Sequence, residues 1–170
     1  MSNPSEDVAA MKDFWGEEFG AISSHLGWDV EIFMEKLRPM VTAKSVLELG
    51  CGAGLASLSL AKYARSVTGV DFQPKLLDIA RCHAARSQYQ DHVQFREQNV
   101  LDLDLGAKYD VVCGTAVLHE IPSLFYPKLL ERMKAHLAYN GCCVFWKTTT
   151  SIRYIVSHEV RLLGGLVFGR

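Results

Sequence analysis

The chain has 170 residues, of which 49% are hydrophobic, so it has room for one domain with a sizeable core. Its 18 lysines and arginines nearly balance its 19 acidic residues, which argues against the positive field of proteins that bind nucleic acid or anionic membranes. With no signal-peptide pattern and no run of about 20 apolar residues, we expect a cytoplasmic protein that does not span a membrane.

The five cysteines are expected to be free thiols in a reducing compartment. An odd number of cysteines without a Cys-x-x-Cys spacing fits neither a disulfide framework nor a structural zinc site. The pair Cys82 and His83 lacks a partner pair at helical spacing, so packing is favoured over metal binding there. The sequence therefore predicts no metal centre.

Two helices are predicted before the first strand, and residues 1–40 are expected to form an N-terminal helical cap. The first helix begins near Ser5, where apolar residues recur at the spacing of one helix face. The second follows Asp29 and is expected to end before Pro39, because proline cannot donate a backbone hydrogen bond. Residues 41–170 are expected to form an α/β domain, with the whole chain as one folded unit.

A glycine-rich stretch after the first predicted strand organises the rest of the chain. The apolar strand over 45–49 breaks at Gly50, Gly52 and Gly54, and a helix-forming run follows from Leu55. Because glycine lacks a Cβ atom, the backbone can turn sharply there and approach a ligand closely. Amide groups at the start of the following helix then face that ligand. The sequence therefore predicts the first βα unit of a nucleotide-type site.

The spacing of these glycines distinguishes between families. A dinucleotide-binding fingerprint reads GxGxxG, and Leu55 stands where it requires its third glycine. The pattern here is GxGxG, with Glu48 two positions before Gly50. It resembles motif I of the class I S-adenosylmethionine-dependent methyltransferases, E/D-x-G-x-G-x-G, position for position. A nicotinamide-dependent oxidoreductase is disfavoured by Leu55.

The resemblance implies an α/β fold of the Rossmann-like type, a three-layer sandwich around a mostly parallel sheet with strand order 3-2-1-4-5. The predicted strands lie near 45–49, 66–70, 93–97, 109–113 and 141–147. It also implies that S-adenosylmethionine is the cofactor and leaves as S-adenosylhomocysteine. The residues of the motif, Glu48, Gly50, Gly52 and Gly54, and Cys51 between the glycines are expected to contact it.

An acidic residue ends the second predicted strand, 19 positions after Gly52. Asp71 carries a carboxylate, which only accepts hydrogen bonds and so suits both hydroxyls of a ribose. Phe72 offers a flat apolar side chain for an adenine ring. Both residues match the second motif of the resembling family, and a helix-capping role for Asp71 is the alternative interpretation.

Asn99 and Val100 follow the third predicted strand. Many members of the resembling family have an Asp here, whose side chain reaches the adenine amino group while the next backbone amide reaches a ring nitrogen. The resemblance implies that Asn99 accepts through its carbonyl oxygen and that Val100 supplies the amide. Asp102 is the competing candidate.

The loop after the fourth predicted strand is expected to border both cofactor and acceptor. The resemblance implies that Thr115 contacts the methionine portion of the cofactor. His119, beside Glu120, is predicted in the acceptor pocket, and the sequence leaves open whether it is a general base or a pocket wall. This loop lacks the Asn/Asp-Pro-Pro-aromatic run of adenine and glutamine amino-methyltransferases and the Pro-Cys nucleophile of cytosine C5 enzymes. Nucleic acid is therefore not an expected substrate.

The last segment is predicted to form a helix over 151–163, and the sheet is expected to lack the closing β-hairpin of the resembling family. That would leave the edge of the fifth strand exposed. Three interpretations stay open: the C-terminal segment covers this edge, a second copy pairs with it in a homodimer, or the chain is a truncated form of a longer enzyme.

We therefore predict an S-adenosylmethionine-dependent methyltransferase that acts on an oxygen, nitrogen or carbon atom of a small-molecule acceptor. Such a protein holds the methyl donor and the acceptor at reacting distance in a dry pocket. Phe14 and Trp15 are expected to line this pocket with His119 and Glu120, or else to be core contacts of the sheet. The alternative, motivated by the missing hairpin, is a catalytically silent cofactor-binding or scaffold domain that acts through protein partners.

Overall fold

A computed structural model describes residues 34–35, 37–115, 117–147 and 151–156, with residues 119, 146, 147 and 151–156 described by their backbone alone. The described residues form a six-stranded sheet in the order β3-β2-β1-β4-β5-β6. The strands are β1 (Ser45–Leu49), β2 (Ser66–Asp71), β3 (Val93–Glu97), β4 (Tyr109–Thr115), β5 (Leu137–Lys147) and β6 (Ser151–Val156). Strands β1 to β5 pair in parallel, and the predicted order 3-2-1-4-5 is confirmed.

Helices cover both faces of the sheet. They are α1 (Leu55–Ala61), α2 (Pro74–Ala85) and α3 (Tyr126–His136), and a further helical turn precedes β1. On one face, Leu60 of α1 shares a core cluster with Val46 of β1. On the other face, Met133 of α3 shares a cluster with Leu47 of the same strand. The predicted three-layer Rossmann-like arrangement is therefore confirmed.

The strand order reverses between β1 and β4, and this reversal positions the candidate site. Strand β1 pairs with β2 on one side and with β4 on the other. Both β1 and β4 are buried along most of their length, because a parallel sheet covered on two faces has no solvent side. The carboxyl ends of the strands meet at one edge of the sheet, where Gly50, Asp71 and Thr115 lie.

The prediction of a helix over 151–163 is wrong for the first six residues, which form β6. This strand pairs antiparallel with β5, from Cys142 opposite Val156 to Lys147 opposite Ser151. Ile152, Tyr154 and the two residues after it are β-branched or aromatic and favour a strand, and pairing gives partners to the backbone groups along the edge of β5. Of the three interpretations left open for the edge of the fifth strand, the structure shows the first, because residues 151–156 of the C-terminal segment cover it along Cys142–Lys147. Residues 157–163 lie outside the described part of the chain.

Strand β5 begins earlier than predicted. Asn140 and Gly141, which the sequence suggests as a turn, lie inside the strand. Asn140 has a φ angle of 61°, and the pairing register with β4 shifts near this point. Tyr109 pairs with Leu137 and Val111 with Cys142, so the turn-forming residues lie in extra backbone that interrupts the pairing of β5 with β4 instead of preceding the strand.

The helix before β1 ends later than predicted. Residues 37–41 are helical, so the helix passes Pro39, and Val41 at its end is buried in the core. Packing of an apolar side chain extends the helix by two residues beyond the proline. The first predicted helix, which carries Phe14 and Trp15, lies outside the described residues.

Candidate functional site

The glycine-rich loop between β1 and α1 bends back over the end of the neighbouring strand. Gly50, Gly52 and Gly54 have φ angles of 66°, 50° and 79°, which glycine adopts without a steric penalty. The Cys51 amide donates to the Val70 carbonyl at 3.0 Å, which fastens the loop to β2. The bend therefore lies directly beside the carboxyl end of β2.

Two of the three loop glycines make room for protein side chains. A Cβ atom at Gly50 would lie 2.6 Å from a methyl group of Val117. One at Gly54 would lie 2.7 Å from Phe95 and 2.8 Å from Ala80. At these positions packing within the protein, not only the approach of a ligand, explains why glycine is required. Val117 carries no local sequence signal for this contact, because its partner lies in a distant segment.

The Asp71 carboxylate points into the bend of the loop. Its Oδ2 atom accepts a hydrogen bond from the Gly52 amide at 2.9 Å, and its Oδ1 atom accepts one from the Gln73 amide at 2.9 Å. The residue is 8% exposed, and burial raises the pKa of its carboxyl group. Two carboxylate oxygens offer about four acceptor positions, so the group can accept further hydrogen bonds from a ligand.

Glu48 lies beneath the loop in the protein interior. It is 1% exposed and accepts a hydrogen bond from the Ser57 hydroxyl of α1. Burial raises the pKa of Glu48 to about 8, an effect that the Ser57 bond opposes and the nearby Asp71 charge increases. The carboxyl group is therefore mainly neutral at pH 7. Its predicted contact with a cofactor stays a prediction, and its visible role is to join β1 to α1.

Asn99 caps a short 3-10 turn after β3. Its Oδ1 atom accepts a hydrogen bond from the Leu101 amide at 2.9 Å, and the turn spans Val100–Asp102. The predicted acceptor atom is therefore engaged, although a carbonyl oxygen can accept a second bond. The competing candidate, Asp102, is exposed and pairs with Lys128 at 2.6 Å on the surface. Both side chains thus have partners within the protein, and the contact of either one with adenine stays a prediction.

Thr115 ends β4 at the same edge of the sheet. Its hydroxyl oxygen is buried and has no hydrogen-bond partner among the described residues. A buried hydroxyl without a partner is uncommon, because desolvation costs about 1–3 kcal/mol when no bond replaces water. A polar group of a ligand would satisfy this oxygen.

The loop after β4 continues into a short 3-10 turn, Leu118–Glu120. The Tyr126 hydroxyl of α3 donates to the Leu118 carbonyl at 2.9 Å and fixes this turn. Glu120 is half-buried, whereas His119 is described by its backbone alone. The role of His119 as a base or a pocket wall therefore stays a prediction.

A histidine of α2 contacts the glycine-rich loop. The Nδ1 atom of His83 lies 3.0 Å from the Ala53 carbonyl oxygen. Since a carbonyl only accepts, the Nδ1 atom carries the hydrogen. Packing alone is therefore an incomplete interpretation of His83. No spacing rule connects two residues that lie 30 positions apart.

A family model described as a methyltransferase domain matches residues 46–141, which is more than half of the chain. The chain belongs to this family of methyltransferase domains. The resemblance indicated by the glycine-rich motif is thereby confirmed at the level of the family. The match includes the loop, Asp71, Asn99 and Thr115.

Curated relatives contain a similar methyltransferase domain. A ubiquinone biosynthesis O-methyltransferase of Coxiella burnetii is 29% identical over 137 residues, which cover 81% of this chain and 57% of the relative. A protein of the same name from Bordetella pertussis is 34% identical over 125 residues, covering 72% of this chain and 48% of the relative. The chain thus spans about half the length of these relatives.

A solved structure shares the fold of this methyltransferase domain. It is the phosphoethanolamine N-methyltransferase 1 of Haemonchus contortus, in complex with phosphoethanolamine and S-adenosylhomocysteine. The match has a TM-score of 0.75 and covers 88% of this chain and 34% of that chain. The sequence identity is 15%, so the likeness concerns the fold alone.

A second concave region of the methyltransferase domain lies away from this edge. It is a groove of about 300 Å³ between the end of α2 and the start of β3, with Arg81, Asp91 and Gln94 in its lining. It borders the amino end of β3, whereas open α/β sheets bind ligands at the carboxyl ends of their strands.

Within the described ranges, no helix has the length and apolar character to cross a bilayer, and no three metal-ligating side chains cluster.

Proposed function

We propose that this methyltransferase domain binds S-adenosylmethionine and catalyses transfer of its methyl group to a small-molecule acceptor. The observation that carries the proposal is the 2.9 Å contact between Asp71 Oδ2 and the Gly52 amide. This contact brings a carboxylate able to accept from ribose hydroxyls against the glycine-rich loop. Membership of the methyltransferase domain family supports the same reaction.

The residues at the edge of the sheet fit this cofactor. Asp71 has acceptor capacity for ribose hydroxyls, and the half-buried Phe72 beside it offers a face for adenine. Asn99 retains one acceptor position for the adenine amino group. The buried Thr115 hydroxyl, unpartnered in the described part of the chain, suits the polar methionine portion.

The cofactor would supply a methyl group on a positively charged sulfur, which makes that methyl group electrophilic. The chain's own contribution would be positional. Asp71, Phe72 and Thr115 would hold the two ends of the cofactor, and the loop backbone from Gly50 to Gly54 would line its middle. Fixing donor and acceptor in this way removes much of the entropic barrier to their meeting.

We propose an oxygen atom as the methylated atom. Both curated relatives described above are named ubiquinone biosynthesis O-methyltransferase. A hydroxyl acceptor loses its proton as the new oxygen–carbon bond forms, so a nearby base assists the reaction. His119, beside Glu120, is proposed for that role, and Phe14 and Trp15 are proposed to cover the acceptor.

None of the described residues favours the alternative of a silent scaffold domain. That alternative depends on an exposed edge of β5, and β6 pairs with this edge. A homodimer through the same edge loses its basis for the same reason.

A cytoplasmic location is proposed because all five cysteines are free thiols, four of them buried or half-buried.

Calorimetric titration with S-adenosylhomocysteine tests cofactor binding. Wild type is expected to bind, and Asp71→Ala is expected to bind at least about tenfold more weakly, because two hydrogen bonds to ribose are lost. Asp102→Ala is the matched control, since this carboxylate is exposed and paired with Lys128, and wild-type affinity is expected. Lack of binding by wild type at millimolar ligand, or equal weakening in both variants, would contradict the proposal.

The choice of acceptor atom has a separate test. The protein is incubated with methyl-labelled cofactor and with matched pairs of alcohols or phenols and amines, and labelled products are separated by chromatography. Label is expected on the hydroxyl compounds. Label only on amines would overturn the proposed oxygen acceptor and leave cofactor binding intact.

A further inference from the structure

The face of α2 that lies against the glycine-rich loop has two different contacts with it. Ala80 packs where a Cβ atom at Gly54 would stand, at 2.8 Å, and His83 donates to the Ala53 carbonyl at 3.0 Å. Residues three positions apart lie on the same side of a helix. One face of α2 therefore contacts two successive residues of the loop.

The helix that carries these contacts is firmly attached to the sheet. Leu77 is 0% exposed and Ala84 is 7% exposed, and both belong to a core cluster with Phe95 of β3. His83 lies between these buried positions and is itself half-buried. A hydrogen bond from this helix therefore holds the loop against a fixed part of the fold.

The loop needs such support because glycine is the most flexible residue. Three of its residues have positive φ angles, and ordering glycine costs more conformational entropy than ordering any other residue. The Val70 carbonyl and the Asp71 carboxylate hold its first part, at the amides of Cys51 and Gly52. Groups of β2 thus hold the first part of the loop. The second part is held by α2, because its Ala53 carbonyl accepts a hydrogen bond from His83.

We propose that His83 is a positioning residue that holds the second part of the glycine-rich loop in the conformation that binds the cofactor. It acts through the Ala53 carbonyl and does not itself contact the ligand. This role depends on the proposed function for its effect on cofactor affinity, but its effect on the loop is measurable without any ligand.

Two amide variants separate the hydrogen bond from the shape of the side chain. In His83→Asn the amide nitrogen is as many bonds from the backbone as Nδ1, so the donor is retained. In His83→Gln it is one bond further away, so the donor is displaced. His83→Leu removes the donor, and His92→Leu is the matched control, because His92 is an exposed histidine.

Calorimetry with S-adenosylhomocysteine and hydrogen exchange of the ligand-free protein give two independent readings. His83→Leu and His83→Gln are expected to bind about threefold to tenfold more weakly, the range for one lost hydrogen bond to the backbone. Amides of residues 51–58 are expected to exchange faster in both variants by a similar factor. His83→Asn and His92→Leu are expected to match wild type in both readings.

Equal behaviour of His83→Asn and His83→Gln would overturn the proposal, because the position of the donor would then have no effect. Unchanged loop exchange in His83→Leu would also overturn it. If wild type binds no cofactor product, the proposed function fails. In that case the positioning role would still be supported if His83→Leu speeds loop exchange and His83→Asn keeps the wild-type exchange rate.

Discussion

The two halves of the candidate site differ in how completely the chain itself defines them. At the ends of β1 and β2, the Gly52 amide and the Asp71 carboxylate bond to each other at 2.9 Å. At the end of β4, the Thr115 hydroxyl lacks a partner among the residues described. The first half is therefore formed before any ligand binds, whereas the second has a polar group that a ligand must satisfy. Mutations in the packed half should therefore lower stability, whereas mutation of the Thr115 hydroxyl should weaken ligand binding.

Adding a methyl group to the glycine-rich loop, in the packed half of the site, is expected to have the largest effect on stability. Gly54→Ala should lower the free energy of unfolding by about 3 kcal/mol, because it adds backbone strain at φ 79° to a clash with Phe95 and Ala80. Gly106→Ala is the matched control, since φ is 60° and no atom lies within 4 Å of its Cβ position. It should lose only about 1 kcal/mol. Equal losses of unfolding free energy in the two variants, measured by chemical denaturation, would contradict the close packing of Phe95 and Ala80 against the loop.

The buried Glu48 should make stability depend on pH. Its pKa is raised by burial from 4.5 to about 8, so between these values the unfolded chain releases a proton that the folded protein retains. The free energy of unfolding therefore falls as pH rises through this window, by up to about 1.4 kcal/mol per pH unit. Below and above the window, this group contributes no further change.

Glu48→Gln isolates this effect, because the amide cannot ionise. Measured by denaturation from pH 5 to pH 8, the variant should gain stability over wild type steadily as pH rises. Glu131→Gln, on the exposed side of α3, is the control and should follow wild type. Parallel curves for Glu48→Gln and wild type would show that the carboxyl group is ionised in the folded protein.

Two threonines sharpen the contrast between satisfied and unsatisfied hydroxyls, with the smallest expected effect. The Thr68 hydroxyl is buried and accepts from Gln94 at 2.9 Å and from Tyr109 at 3.3 Å. Thr68→Val should therefore destabilise the protein by about 1–2 kcal/mol without changing ligand affinity. Thr115→Val should leave stability unchanged or raise it, while it weakens binding of S-adenosylhomocysteine about threefold to tenfold. Thermal unfolding and calorimetry measure both, and destabilisation by Thr115→Val would indicate a partner within the protein.

The sequence predicted those parts of the site that local patterns determine. The spacing of Gly50, Gly52 and Gly54 predicted the bend, and the end of a β-rich run predicted that Asp71 would lie beside it. Alternation and apolar runs predicted the five strands, because each buried strand has its own short signal, and their parallel pairing and order were implied by the family resemblance. These features depend on residues that are neighbours along the chain.

The features that the sequence did not predict depend on distant contacts. Residues 151–156 pair with the edge of β5; their β-branched and aromatic side chains are a local strand signal that the helix prediction missed, whereas the pairing partner is not visible in the segment itself. Val117 over Gly50 and His83 on Ala53 are likewise contacts between segments far apart in the chain. A single sequence gives residue types and spacings, but it does not give such pairings.

The central claim is that the Asp71 carboxylate receives the ribose of the cofactor. Its most direct test is a double-mutant cycle by calorimetry, with wild type and Asp71→Ala each titrated with S-adenosylhomocysteine and with its analogue lacking both ribose hydroxyls. We expect removal of the hydroxyls to weaken binding to wild type at least about tenfold and to leave the affinity of Asp71→Ala unchanged. Equal weakening in both proteins would contradict the claim, because the hydroxyls would then be bound elsewhere.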